Sequence, residues 1–71
     1  MNAFRKGQKI SWNWGRGKAH GHIVETFARR VQRTIEGVRI VRNGSAGNPA
    51  CLIETPDGKH ALKLGSELHA E

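Results

Sequence analysis

Acidic residues are scarce in this chain: six Asp and Glu stand against twelve Lys and Arg, a formal charge of +6. A single cysteine excludes an intramolecular disulfide, so the fold must rest on its core. Tyrosine is missing altogether, and any aromatic cage or stacking platform must be built from Phe4, Trp12, Trp14 and Phe27. No apolar run approaches the roughly 20 residues that cross a bilayer, and "MNAFRKGQK" has no apolar stretch of the kind that directs secretion. A soluble, cytoplasmic chain with no membrane partner is expected. At 71 residues a single core barely offsets chain entropy. One domain is therefore expected over residues 1–71, with an ordered core of about 4–68. It leaves no spare layer for an enclosed active site, so function is expected on the surface or at a shallow rim.

The charge is unevenly placed. Residues 1–42 hold ten Lys/Arg and two Glu, a balance of +8, whereas residues 43–71 hold two Lys and four acids, a balance of −2. Such asymmetry points to a basic face able to meet phosphates or another polyanion. The plainer explanation is a solvated surface, because one small fold can mix both halves.

Glycines recur between short apolar patches, the mark of a compact all-β domain. "QKISWNW" alternates, with Ile10, Trp12 and Trp14 on one face and Lys9, Ser11 and Asn13 on the other, and predicts a first strand. "GRGK" reads as a flexible connection and "AHGHIVETFA" as the second strand. The β-branched residues of 33–42 predict a third strand after a basic loop, with a short helix over 25–33 as the alternative. "ACLIET" predicts a central fourth strand, "PDG" a tight turn, and "KHALKL" a fifth strand hairpinned to the fourth. "GSELHAE" suggests one 3₁₀ turn capped by Ser66 that tucks Leu68 inward. The expected architecture is a small, strongly bent five-stranded SH3-like barrel, with a five-stranded oligonucleotide-binding barrel as second choice. Ile10, Trp12, Ile23, Ile53 and Leu62 are its expected core.

Most chemical motifs fail on spacing. "GRGK" is no phosphate loop, because five residues before Gly17 stands Trp12 and Lys18 is followed by Ala19. Gly15, Gly17 and Gly21 do not make a dinucleotide fingerprint. His20 and His22 share one side of a strand, with His60 and Cys51 as conceivable further ligands, but no second metal-binding pair accompanies them. Neither a metal nor any other cofactor is expected. The two histidines read instead as exposed residues flanking Gly21 at a bend, adding positive charge as pH falls toward about 6.5. Cys51, in "PACLIE", reads as a small buried hydrophobe. The carboxylates Glu25, Glu36, Glu54 and Asp57 form no evident acid–base couple, so a non-enzymatic chain is expected.

One ordered set of residues is shared with a known family. Phe4, Gly7, Ile10 and Trp12 spell "F-x-x-G-x-x-I-x-W", Gly21 and Ile23 "G-x-I", and then come "NPACLIE", "DGKHALKL" and "SEL". Together they resemble the hypervirulence-associated TUDOR-domain family, small proteins mostly of unknown function. The resemblance covers nearly the whole chain and implies a Tudor-like SH3-type barrel without a catalytic residue or an established ligand. Where members of that family read "NPAY", this chain has Cys51, which removes one aromatic from any rim cage for methyl-lysine.

The expected function is therefore that of a small monomeric binding module. Its leading candidate ligand is a polyanion, the backbone of RNA or DNA. Trp14 would offer a stacking surface, and Arg16, Lys18, Arg29, Arg30 and Arg33 would meet phosphates. The alternative is a protein-interaction domain taking a peptide, methylated ones included, at the barrel rim.

Overall fold

Short alternating segments separated by glycine-bearing turns fold here into strands throughout. The computed structural model describes residues 4–71. In chain order these are β1 (Lys9–Trp14), β2 (Gly17–Phe27), β3 (Arg30–Ile35), β4 (Val38–Asn43), β5 (Ala50–Glu54) and β6 (His60–Leu64). A 3₁₀ turn (Gly65–Glu67) and β7 (His69–Ala70) follow. Among the described residues no helix is long and apolar enough to cross a membrane.

The strands form two antiparallel sheets: five strands in the order β6-β5-β2-β1-β7, and β3 paired only with β4. Among the described residues the expected single five-stranded barrel is thus replaced by seven strands in two sheets with no closed ladder. The main reason lies in residues 33–42, which are not one strand. Glu36 and Gly37 turn the chain there with φ of 51° and 80°, the positive pair a two-residue I′ hairpin requires. The alternative helix over residues 25–33 is also absent, since Glu25–Phe27 end β2 and Arg30 opens β3. "GRGK" is shorter than a loop: Gly15 and Arg16 alone make the turn, and Lys18 already pairs with Asn13.

β2 is the spine of the larger sheet. Its residues Gly17–His22 pair with β1 and His22–Phe27 with β5, the register slipping between Ile23 and Glu25. Such a bulge bends the strand. Just before it, a Cβ on Gly21 would lie 2.6 Å from the Glu54 carbonyl oxygen and 2.7 Å from Ile53 Cγ2. Glycine is required there because the two strands approach too closely for a side chain.

Apolar burial falls into two clusters. Ile10, Trp12, Ile23, Cys51, Ile53 and Leu68 form one, with Phe4, Ala19 and Ala61 against it. Phe27, Val31, Ala50 and Leu62 form the other, joined by Ile35, Ile40, Leu52 and Leu64. The second cluster is what fastens the β3–β4 ribbon to the larger sheet. Leu68 is buried after the 3₁₀ turn, but Ser66 does not cap that turn. Glu67 accepts from the Leu64 N–H, and Asn48 Oδ1 accepts from the Ser66 N–H at 2.8 Å. The side chain of "NP" thus pins the turn from outside.

Candidate functional site

At the β1–β2 hairpin the alternation of β1 runs past the core. Trp12 is 5% exposed, whereas Trp14, two residues on and on the same face, is 70% exposed. It sits where β1 ends, opposite Gly17, which offers it no side chain. Gly15 makes the turn with φ of 56°. Arg16 and Lys18 flank Trp14 from the turn and from the start of β2, both exposed.

Arg29, Arg30 and Arg33 lie elsewhere, where β2 passes into β3. The six residues singled out from sequence therefore divide into two groups at opposite ends of β2, an 11-residue strand. The second group is held by Phe27: the guanidinium carbons of Arg29 and Arg33 lie 5.3 and 5.0 Å from its ring centroid, within cation–π range. Their Nη1 atoms donate to the carbonyls of Arg30 and Gln32 respectively. The β3–β4 register puts Arg33 and Arg42 on the ribbon face that carries Val31, Ile35 and Ile40, with Arg30 and Arg39 on the other.

The acids are largely committed elsewhere. Glu67 reaches Arg42 at 3.6 Å and Lys63 at 4.0 Å, and Glu54 lies 3.6 Å from His22 and 3.8 Å from His60. Glu71 takes His20 Nδ1 at 2.5 Å. Among the described residues only Arg42 and Lys63, of the twelve Lys and Arg, have a carboxylate within ion-pairing distance. Arg16, Lys18, Arg29, Arg30 and Arg33 all belong to the uncompensated remainder.

An open groove of about 710 Å³ runs from this hairpin to the ribbon. Trp12, Trp14 and Ala19 form one wall, Ile40 and Arg42 the other, with β6 between. Phe4 and Phe27 do not line it, so two tryptophans are its aromatic content. Asp57, at its edge, has a carboxyl held below the usual carboxylate range, first by a hydrogen bond from the Thr55 hydroxyl and further by the Lys59 amide and ammonium. This is the "PDG" turn at work. Pro56 leads, Gly58 takes φ of 85°, and the Gly58 N–H donates to Thr55 at 2.9 Å.

The register gathers a surface that sequence spacing shows only in part. His20 and His22 are joined on the outer face of the main sheet by His60 and His69, since Glu54 faces both His22 and His60, and Ser11 faces both His20 and His69. The "HGH" spacing and the "PDG" hairpin were the available signals; the pairing of β7 with β1 had none. Among the described residues no three His, Cys, Asp or Glu come together as a metal site. Cys51 is fully buried and its thiol is pushed up to about 11 by desolvation, so it is a packed hydrophobe at neutral pH.

A small all-β domain, an exposed tryptophan on an open groove and a surplus of free cations describe a Tudor-like module of the binding kind. The chain belongs to the family described as hypervirulence associated proteins TUDOR domain, whose model matches residues 7–68. No curated protein and no solved structure matches it.

Proposed function

We propose that this chain is a non-enzymatic binding module that takes single-stranded nucleic acid weakly, at the β1–β2 hairpin. The observation that carries this reading is Trp14, 70% exposed and flanked by Arg16 and Lys18 with no acid paired to either. A base stacks on an exposed aromatic with little regard to its identity, worth roughly 1–3 kcal/mol per base, and neighbouring cations follow the backbone. Arg29, Arg30 and Arg33 supply a second contact at the far end of β2, so a longer strand engages more of the surface than a short one. Small all-β domains of this kind suit such work because the ligand stays on the surface.

Fluorescence polarisation with a labelled oligonucleotide at low salt tests it. Binding should weaken linearly in log–log form as salt rises, with a slope near −0.7 per phosphate engaged. Trp14→Ala should quench the stacking contribution, and Arg16→Gln with Lys18→Gln should flatten the slope. The absence of any polarisation change with the folded wild type at low salt overturns the proposal.

A second reading rests on the groove. Its apolar floor between Trp12, Trp14 and Ile40 suits a peptide, methylated or not, recognised at the rim. Tryptophan fluorescence that responds to a methylated peptide and not to nucleic acid would favour it.

A further inference from the structure

Resting on the polyanion reading, the geometry points to a second part of the same binding surface: a histidine-bearing face of the main sheet that engages the phosphate backbone only when its histidines are protonated. Residues directly opposite in an antiparallel pair project to the same face. Lys9 stands opposite His22, His22 opposite Glu54, and Glu54 opposite His60, a single row across β1, β2, β5 and β6. In the next row Ser11 stands between His20 and His69, and beyond it Asn13 faces Lys18. All four histidines of the chain therefore share one face of one sheet.

This face is concave around His20 and His22. A depression of about 520 Å³ is lined by Lys9, His20, His22, Glu54 and Glu71, with Gly21 among its lining residues, while His60 and His69 lie outside it. Ser11, although polar and outward, is only 4% exposed, set between two histidine-bearing strands.

The charge of this face changes sign character with pH. With neutral histidines, Lys9 and Lys18 are outweighed by Glu54, Glu71 and Glu25, which stands opposite Leu52 on the same face, and the net charge is −1. Four added protons bring it to +3. Histidine as a residue type makes this change between about pH 8 and pH 5. Glu54 lies between His22 Nε2 and His60 Nε2 at 3.6 and 3.8 Å, so its one negative charge serves two imidazoles. Once both are protonated, one positive charge is left over for a ligand. The other charged groups nearby are Glu71 on His20, Asp57 and Lys59 on the β5–β6 turn, Arg33 and Glu36 of the ribbon, which border a groove with His60, and Arg5 and Lys6 ahead of Gly7, which pairs with Ile23. Because protons are added where phosphate would sit, affinity rises as pH falls. Lys18 belongs both to this face and to the β1–β2 hairpin that carries Trp14, so the two contact regions adjoin.

The test uses a single-stranded oligothymidylate of about twenty nucleotides, whose bases stay neutral across the range, with folding followed by circular dichroism. Between about pH 7.5 and pH 5.5 the wild type should bind at least roughly tenfold tighter at low salt, its salt slope steepening by about 0.7 for each histidine engaged. The double variant His22→Gln, His60→Gln should lose most of this increment. Arg16→Gln with Lys18→Gln should weaken binding at both pH values and keep the increment. Glu54→Gln should strengthen binding at the higher pH more than Glu25→Gln, the same charge change on this face but opposite Leu52 rather than a histidine. Binding that does not vary with pH, or an increment retained in the double histidine variant, overturns this inference and leaves the hairpin reading standing. Wild type that is folded yet fails to bind at either pH overturns both.

Discussion

Gly15–Arg16 closes β1 onto β2 and Glu36–Gly37 closes β3 onto β4, each with two residues, but the two hairpins are supported in different ways. The strands of the first have further partners: β1 pairs with β7 and β2 with β5. Its side chains Ile10, Trp12 and Ile23 lie in the larger buried cluster. The strands of the second pair only with each other, and an isolated two-stranded hairpin is marginal in water. The ribbon is held by Val31, Ile35 and Ile40 packing on Phe27, Leu52, Leu62 and Leu64. Backbone pairing anchors one hairpin and side-chain packing anchors the other. The ribbon should therefore open first.

Truncations should expose this difference, beginning with the largest. Ile53→Ala removes a fully buried side chain and should cost about 2–5 kcal/mol, lowering denaturant midpoints and releasing both hairpins to hydrogen exchange together. Ile40→Ala, half-buried on the ribbon, should cost only about 1 kcal/mol. Its effect should appear as faster exchange in β3 and β4 while β1 and β2 stay protected. Equal loss of protection in both hairpins would show that the two are one cooperative unit.

A change at the ribbon turn should move the comparison the other way. Glu36 holds φ of 51°, which an ordinary side chain adopts at some cost, whereas Asn tolerates it. Glu36→Asn should stabilise by about 0.5–1 kcal/mol, visible as a higher midpoint and slower ribbon exchange, bringing the two hairpins closer. The smallest effect is expected at the third turn. Thr55→Val removes the main cause of the depressed Asp57 carboxyl, and its proton titration, followed by NMR, should move up toward the ordinary carboxylate value. The sign follows from linkage: a carboxyl lowered in the folded state contributes stability above its unfolded value and loses it as pH falls through the folded one. In the variant that acid-side loss should shrink.

The strands with clear punctuation were legible in the residues alone. β1 alternates up to Trp14, β5 is continuously apolar and flanked by prolines, and β6 follows "PDG". The ribbon was not, because Val31, Thr34, Ile35, Val38, Ile40 and Val41 are β-branched on both sides of the turn. A run of strand-formers carries no mark of reversal unless the turn residues are strong, and Glu–Gly is weaker than Asn–Gly. The charge imbalance could be counted, but which cations are free depends on where six acids land. The register sends Glu54 to two histidines and Glu67 to Arg42 and Lys63. Likewise the histidine face is built by pairing across five strands, and only His20 and His22 are neighbours in sequence.

A free strand edge is a template on which another chain can align, and the ribbon has one on each side. It also carries Arg30, Arg33, Arg39 and Arg42, with Glu36 at its turn as the sole acid between residues 30 and 43. Two copies approaching edge to edge would set like charges against each other, which opposes their pairing. The ribbon arginines thus oppose edge-to-edge pairing of two copies, and salt, by screening that repulsion, should weaken the opposition.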